Sequence, residues 1–130
     1  MATWQDVERF IRSNYTVLPD APKGMIALSF SIPGGRSQMV FVSSGGNETI
    51  GSVVHISSVI GQLTSAKVAD ACREASEMVV GGIVQMGDHT VLRHSVLLEN
   101  LDENELVNPL LAVTLAADNL EKKLTGRDRA

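Results

Sequence analysis

The sequence predicts an α+β fold: a single domain in the order helix, three strands, helix, two strands, helix, with the helices packed on an antiparallel sheet. Three observations predict it. The hydrophobic period is 3.6 over residues 3–15, falls to 2 over Met25–Ile32, and returns to helical spacing twice further on. The connections within each strand group are short, which permits only antiparallel pairing. The 130 residues contain no repeat, low-complexity segment or dividing linker, so residues 1–130 are expected to share one core.

The first helix covers residues 3–15, where Trp4, Val7, Phe10 and Ile11 share a face and Asp6, Glu8, Arg9 and Arg12 lie largely elsewhere. Thr3 suits its N-cap, with Asp6 three residues on as electrostatic support. Pro19, Pro22 and Gly24 end it. In Met25–Ile32 the side chains of Ile26, Leu28, Phe30 and Ile32 point one way and Ala27, Ser29 and Ser31 the other, a half-buried strand. Pro33-Gly34-Gly35 turns the chain into Met39–Val42, a strand apolar on both faces and therefore central. Ser43–Gly51 reads as a polar hairpin loop, and Ser52–Ile60 as a third strand with Val54 and Ile56 inward.

The second helix is predicted over Ser65–Met78, capped by Thr64 or Ser65, with Val68, Ala71, Cys72, Ala75 and Met78 as its apolar stripe. Cys72 on that stripe reads as a small core residue rather than a nucleophile. Gly81-Gly82 breaks the pattern, and strands Ile83–Met86 and Thr90–Leu98 follow, joined at Gly87-Asp88.

Residues 99–106, ENLDENEL, hold four carboxylates and could pass for an acidic site. Spacing assigns them otherwise. Asp102 as N-cap and Glu105 at N3 have capping-box spacing, Leu101 and Leu106 fall at the staple positions, and Glu103 meets the positive end of the helix dipole. Only Glu99 is left without a structural task. The last helix then runs from near Asp102 to a C′ glycine, Gly126. Pro109 is tolerated only near a helix start, so either a kink or a second start capped by Asn108 is expected. The stripe Leu106, Leu110, Val113, Ala117, Leu120, Leu124 is flanked by a second row, Val107, Leu111 and Leu115. A helix apolar over more than one face is deeply buried or shared with a partner.

Composition excludes several classes of function. A formal net charge of −4 gives no basic footprint for nucleic acid. The one basic cluster, Lys122, Lys123, Arg127 and Arg129, complements a helix C-terminus. A single cysteine allows neither an internal disulfide nor a cysteine-based zinc site, and no apolar run reaches membrane-spanning length. The charged opening MATWQDVERF is no signal peptide, so the expected location is the cytoplasm, where the sequons at Asn14 and Asn47 are coincidental.

Site chemistry is sparse. DENELVN has Leu106 where a calcium loop needs an oxygen ligand, and lacks its glycine. GNETIGS has phosphate-loop glycines, Gly46 and Gly51, but Ser52 stands where the lysine belongs. His89 and His94, five apart on or beside one strand, face opposite sides and cannot chelate together, and a metal site would need long-range convergence that the sequence does not show. No catalytic residue, cofactor or metal site is expected.

The element order, together with the strand MIALSFSI, the strand VVHISSVIG before the second helix, and VLLENLDENEL leading to AADNLEKKL, resembles the class I type III secretion chaperones and the related YbjN-type domains. The resemblance covers nearly the whole chain and is one of pattern. It implies a small cytoplasmic protein that dimerises and binds polypeptide through apolar patches without catalysis, with the dimer contact at the second helix and the strands beside it. Pro109 and the two-sided last helix depart from the family pattern.

Two functions follow. The first is a non-enzymatic interaction module, a homodimer with a polypeptide client and no nucleic-acid or membrane partner. Its contacts would be made by Trp4, Val68, Cys72, Met78, Leu111 and Leu115. The alternative is a small-molecule-binding or enzymatic α+β cone, with acid–base chemistry from Asp88, His89, His94 or Glu99 in a pocket near His94 and Glu99.

Overall fold

Capping and helical spacing produce three helices in the computed structural model, which describes Met1 and residues 3–126. Helix α1 (Trp4–Asn14) starts where the Thr3 hydroxyl accepts from Asp6 N at 3.1 Å. Helix α2 (Ser65–Ala75) starts at Thr64, which accepts from Lys67 N. Helix α3 (Glu103–Thr125) starts at Asp102, whose carboxylate accepts from Glu105 N at 2.9 Å, and ends at Gly126 in the left-handed conformation (φ 69°) that glycine takes without strain. Leu101 and Leu106 are both buried, as the staple requires. Lys122 and Lys123 occupy the last turn of α3, while Arg127 and Arg129 lie outside the described residues.

Five strands form one antiparallel sheet: β1 (Met25–Ile32), β2 (Arg36–Asn47), β3 (Gly51–Gly61), β4 (Gly82–Met86) and β5 (His89–Leu97), in the spatial order β1-β2-β3-β5-β4. Hairpins join β1–β2, β2–β3 and β4–β5, and α2 carries the chain from β3 to the far edge. The fold is therefore α+β, as the period changes predict.

Three expectations need correction. β2 is twelve residues long, not four: Ser43–Asn47 continue the strand against β3 instead of forming a loop. The turn shrinks to residues 48–50, where Asn47 Oδ1 accepts from the amides of Thr49 and Ile50. α2 stops at Ala75, three residues early, and the inward residue is Ala71; Cys72 is exposed and is not in the core. Finally, α3 is one helix with Pro109 inside it, with no second start at Asn108.

The core sits between the helices and one face of the sheet. Val7 and Ile11 of α1, Ala71 of α2, and Leu106, Leu110, Val113, Ala117, Leu120 and Leu124 of α3 join one cluster with Ile26, Leu28, Val40, Val42, Val54, Ile56, Ile60 and Leu92. Burying each such leucine, isoleucine or valine stabilises the fold by about 1.5–3 kcal/mol. Tyr15 closes the margin edge-to-face on Phe30, ring centres 5.8 Å apart. Strand side chains alternate, so the opposite face carries Ala27, Met39, Phe41, Val53, Val59, Val84, Val91 and Leu97. Ala27, Val53 and Val91 are buried there yet stand outside the helix-side cluster. Among the described residues, every buried helix side chain that joins the core packs on the first face.

Candidate functional site

The polar residues that could carry acid–base chemistry are placed by turns and strand ends, and they do not meet. Asp88 and His89 close the β4–β5 hairpin in a surface pair, Nδ1 to Oδ1 at 2.9 Å, and Gln62 Nε2 donates to Asp88 Oδ2. His94 lies five residues further along β5, about 17 Å away at strand rise, on the helix-side face. There its Nδ1 accepts from Gly81 N at 2.9 Å, fixing the approach to β4. Glu99 is exposed beyond the end of β5. Only Asp88 and His89 of these four are brought together. No group of three His, Cys, Asp or Glu side chains among the described residues is spaced to hold a metal ion.

Two clefts are prominent. One, of about 500 Å³, lies where the end of β3 and the start of α2 meet the last turns of α3, and is lined by Thr64, Lys67, His89 and Glu121. The other, of about 490 Å³, lies between α1 and the loop after it, lined by Trp4, Arg12, Pro19 and Lys23. His89 reaches the first cleft, and neither contains His94 or Glu99.

Polar burial is concentrated beside the first cleft. Gln38, Ser58, Thr90, Asp118 and Glu121 are all buried. Gln38 Nε2 donates to Ser58 Oγ at 2.7 Å and to Val59 O, Ser58 Oγ donates to Met39 O, and Thr90 Oγ1 donates to Gln85 Oε1. Arg36 Nε reaches Asp118 Oδ1 at 2.9 Å, and its Nη2 lies 3.7 Å from Glu121 Oε1. These contacts join strands and helix, as buried polar atoms need, but Gln38 Oε1 accepts no hydrogen bond from the described residues and Glu121 Oε1 meets Arg36 only at ion-pair distance. Sequence reasoning missed this network. The available signal was Asp118 and Glu121 on the buried stripe of α3, between Ala117, Leu120 and Leu124, a position that demands a cation opposite.

The residues expected to contact a partner divide by exposure. Leu111 and Leu115 project from α3 at 57% and 48% exposure, and Cys72 is exposed on α2. Trp4, Val68 and Met78 are half-buried, Trp4 and Met78 against the core cluster.

The helix-free face of the sheet carries further apolar side chains. Pairing places Ala27, Phe41, Ser57, Arg93 and Gly82 in one row across all five strands, and Val59, Val91 and Val84 in the next. Phe41, Met39, Val59 and Val84 are half-buried, and Leu97 is 54% exposed. An antiparallel sheet with one free face ordinarily turns polar side chains outward. Here β1 does so with Ser29 and Ser31, while β2, β3 and β5 mix the two: Met39 and Phe41 with Ser37 and Ser43, Val53 and Val59 with His55 and Ser57, Val91 and Leu97 with Arg93 and Ser95. His55 shares this face, its Nδ1 2.6 Å from Ser95 Oγ. Desolvation, and secondarily the Arg93 guanidinium, hold its pKa below the ordinary histidine value, so it is neutral at pH 7. Among the described residues, Arg93 is thus the one fixed charge in the middle of this surface of apolar and hydroxyl-bearing side chains.

No protein-family model matches the chain, and no curated protein matches it. No helix among the described residues is long and apolar enough to cross a membrane.

Proposed function

We propose that the protein is a non-enzymatic interaction module that works as a homodimer and binds a polypeptide partner, as the resemblance to secretion-chaperone-like and YbjN-type domains implies. One observation carries the reading: apolar side chains reach solvent on both broad sides of the chain, Leu111 and Leu115 on the outer side of α3, and Met86 and Leu97 beside half-buried Met39, Phe41, Val59 and Val84 on the helix-free face of the sheet. Large apolar side chains left exposed in this way point to an interaction site. The titratable side chains, by contrast, are dispersed into caps, turns and pairs.

The test has two readouts. Light scattering at micromolar concentration should give twice the 13.9 kDa chain mass. A reduced, alkylated and permanently unfolded model protein should bind, and Leu111→Glu with Leu115→Glu should abolish that binding while the fold survives. A monomeric mass together with no affinity for unfolded chain would refute the reading.

A further inference from the structure

We infer that the helix-free face of the sheet is where two copies of the chain stack, about a two-fold axis along β3 that sets Arg93 of each copy over Phe41 of the other. This rests on the homodimer reading but moves its contact from the second helix, where the resemblance would place it, to the helix-free face of the sheet. Strands β2, β3 and β5 are hydrogen-bonded on both sides, so they cannot accept an added strand. What they offer is side chains alone, and the mode open to such a face is sheet-on-sheet packing, with about 10 Å between the sheets. With strands about 4.8 Å apart and side-chain rows about 7 Å apart, the face amounts to roughly 700 Å² per copy. That is close to the roughly 800 Å² per partner of a standard stable interface.

Self-complementarity follows from the register. Ala27, Phe41, Ser57, Arg93 and Gly82 lie in one row, with Ser57 of β3 between Phe41 of β2 and Arg93 of β5. A two-fold axis running along β3, midway between the stacked sheets, keeps each row level and carries β5 over β2 of the second copy. Arg93 then faces the Phe41 ring twice, once from each side, and a guanidinium over an aromatic face is attractive, more so when desolvated. The only fixed charge of the face among the described residues is thereby accommodated without meeting its own copy. The same operation lays Val59 over Val59.

The experiment is a charge exchange read by light scattering and by dilution-dependent dissociation, with far-UV circular dichroism to verify folding. Phe41→Lys places a cation against Arg93 of the second copy and should raise the dissociation constant on the order of a hundredfold, since facing like charges cost several kcal/mol. Arg93→Glu in addition should restore the dimer by pairing Lys with Glu across the interface. Leu111→Glu on α3 should leave the dimer intact. A wild-type monomer would remove the homodimer reading and this inference with it. A wild-type dimer indifferent to Phe41→Lys, or dissociated by Leu111→Glu, would overturn this interface and leave the homodimer reading standing. Dissociation by Phe41→Lys in the folded protein with no rescue by Arg93→Glu would overturn the axis along β3.

Discussion

Arg36 Nε donates to Asp118 Oδ1 at 2.9 Å across 82 residues of sequence, tying the start of β2 to the C-terminal half of α3. Glu121, 1% exposed, lies one turn further along the helix and 3.7 Å from the same guanidinium. One guanidinium therefore lies against two carboxylates in a place with little water. Arg36→Leu should lower the unfolding free energy by about 3–5 kcal/mol, the cost of stranding buried charge. Asp118→Asn should cost less, about 1–2 kcal/mol, because Arg36 still faces Glu121. Equal losses in urea titrations of the two variants would show that Arg36 is not the compensating charge.

Gly45 is required by the ring above it. A Cβ built at Gly45 would stand 2.4 Å from His55 Nε2 and 2.8 Å from its Cδ2. Gly45→Ala must therefore push the imidazole aside and break its contact with Ser95 Oγ, at a cost of about 1 kcal/mol. In a His55→Ala background the same substitution should cost nothing or stabilise, since alanine restricts the unfolded chain more than glycine does. A double-mutant cycle measures the difference, and a coupling near zero would remove the steric account.

His55 should also make stability depend on pH. Its folded-state pKa lies below the ordinary value of about 6.5. The unfolded chain therefore takes up the proton first, and stability present above pH 6.5 falls as the pH drops through the folded pKa. Denaturation at pH 7.5 and pH 5.5 should show this loss, and His55→Asn should flatten that part of the profile. An NMR titration placing the His55 midpoint above 6.5 would reverse the sign and contradict the desolvated setting.

Asp102→Ala removes the carboxylate that caps α3 and should cost about 1 kcal/mol. Binding of unfolded polypeptide by the folded fraction should be unchanged. Loss of binding at unaltered stability would make the acidic segment a contact site instead of a helix start.

These residues also show how far the fold can be read in advance. Met25–Ile32 has the predicted bounds because its alternation is uninterrupted, and Asp102 and Gly126 bound α3 because capping is local chemistry. Ser43–Asn47 misled because serine, glycine and asparagine signal a turn. Pairing with β3 and the His55 ring over Gly45 override that propensity, and neither is visible along one strand. Cys72 misled because periodicity defines a stripe only to within a neighbouring position, and the short α2 turns Ala71 inward. The two apolar faces of β2 were legible as a central strand. Which of them no helix covers depends on where the chain crosses over.

Pro109 carries a dynamic consequence. With no N–H to give, it leaves the carbonyl of Glu105 without its helical donor, so residues 103–108 are joined to the rest of α3 by one hydrogen bond fewer. Leu106 pins this segment to the core, but its outer residues are exposed. In native-state hydrogen exchange the amides of Val107 and Asn108 should exchange through a local opening of this first stretch. Those of Val113, Ala117 and Leu120 should wait for global unfolding. The handover from sheet to last helix is thus the segment from which α3 begins to fray.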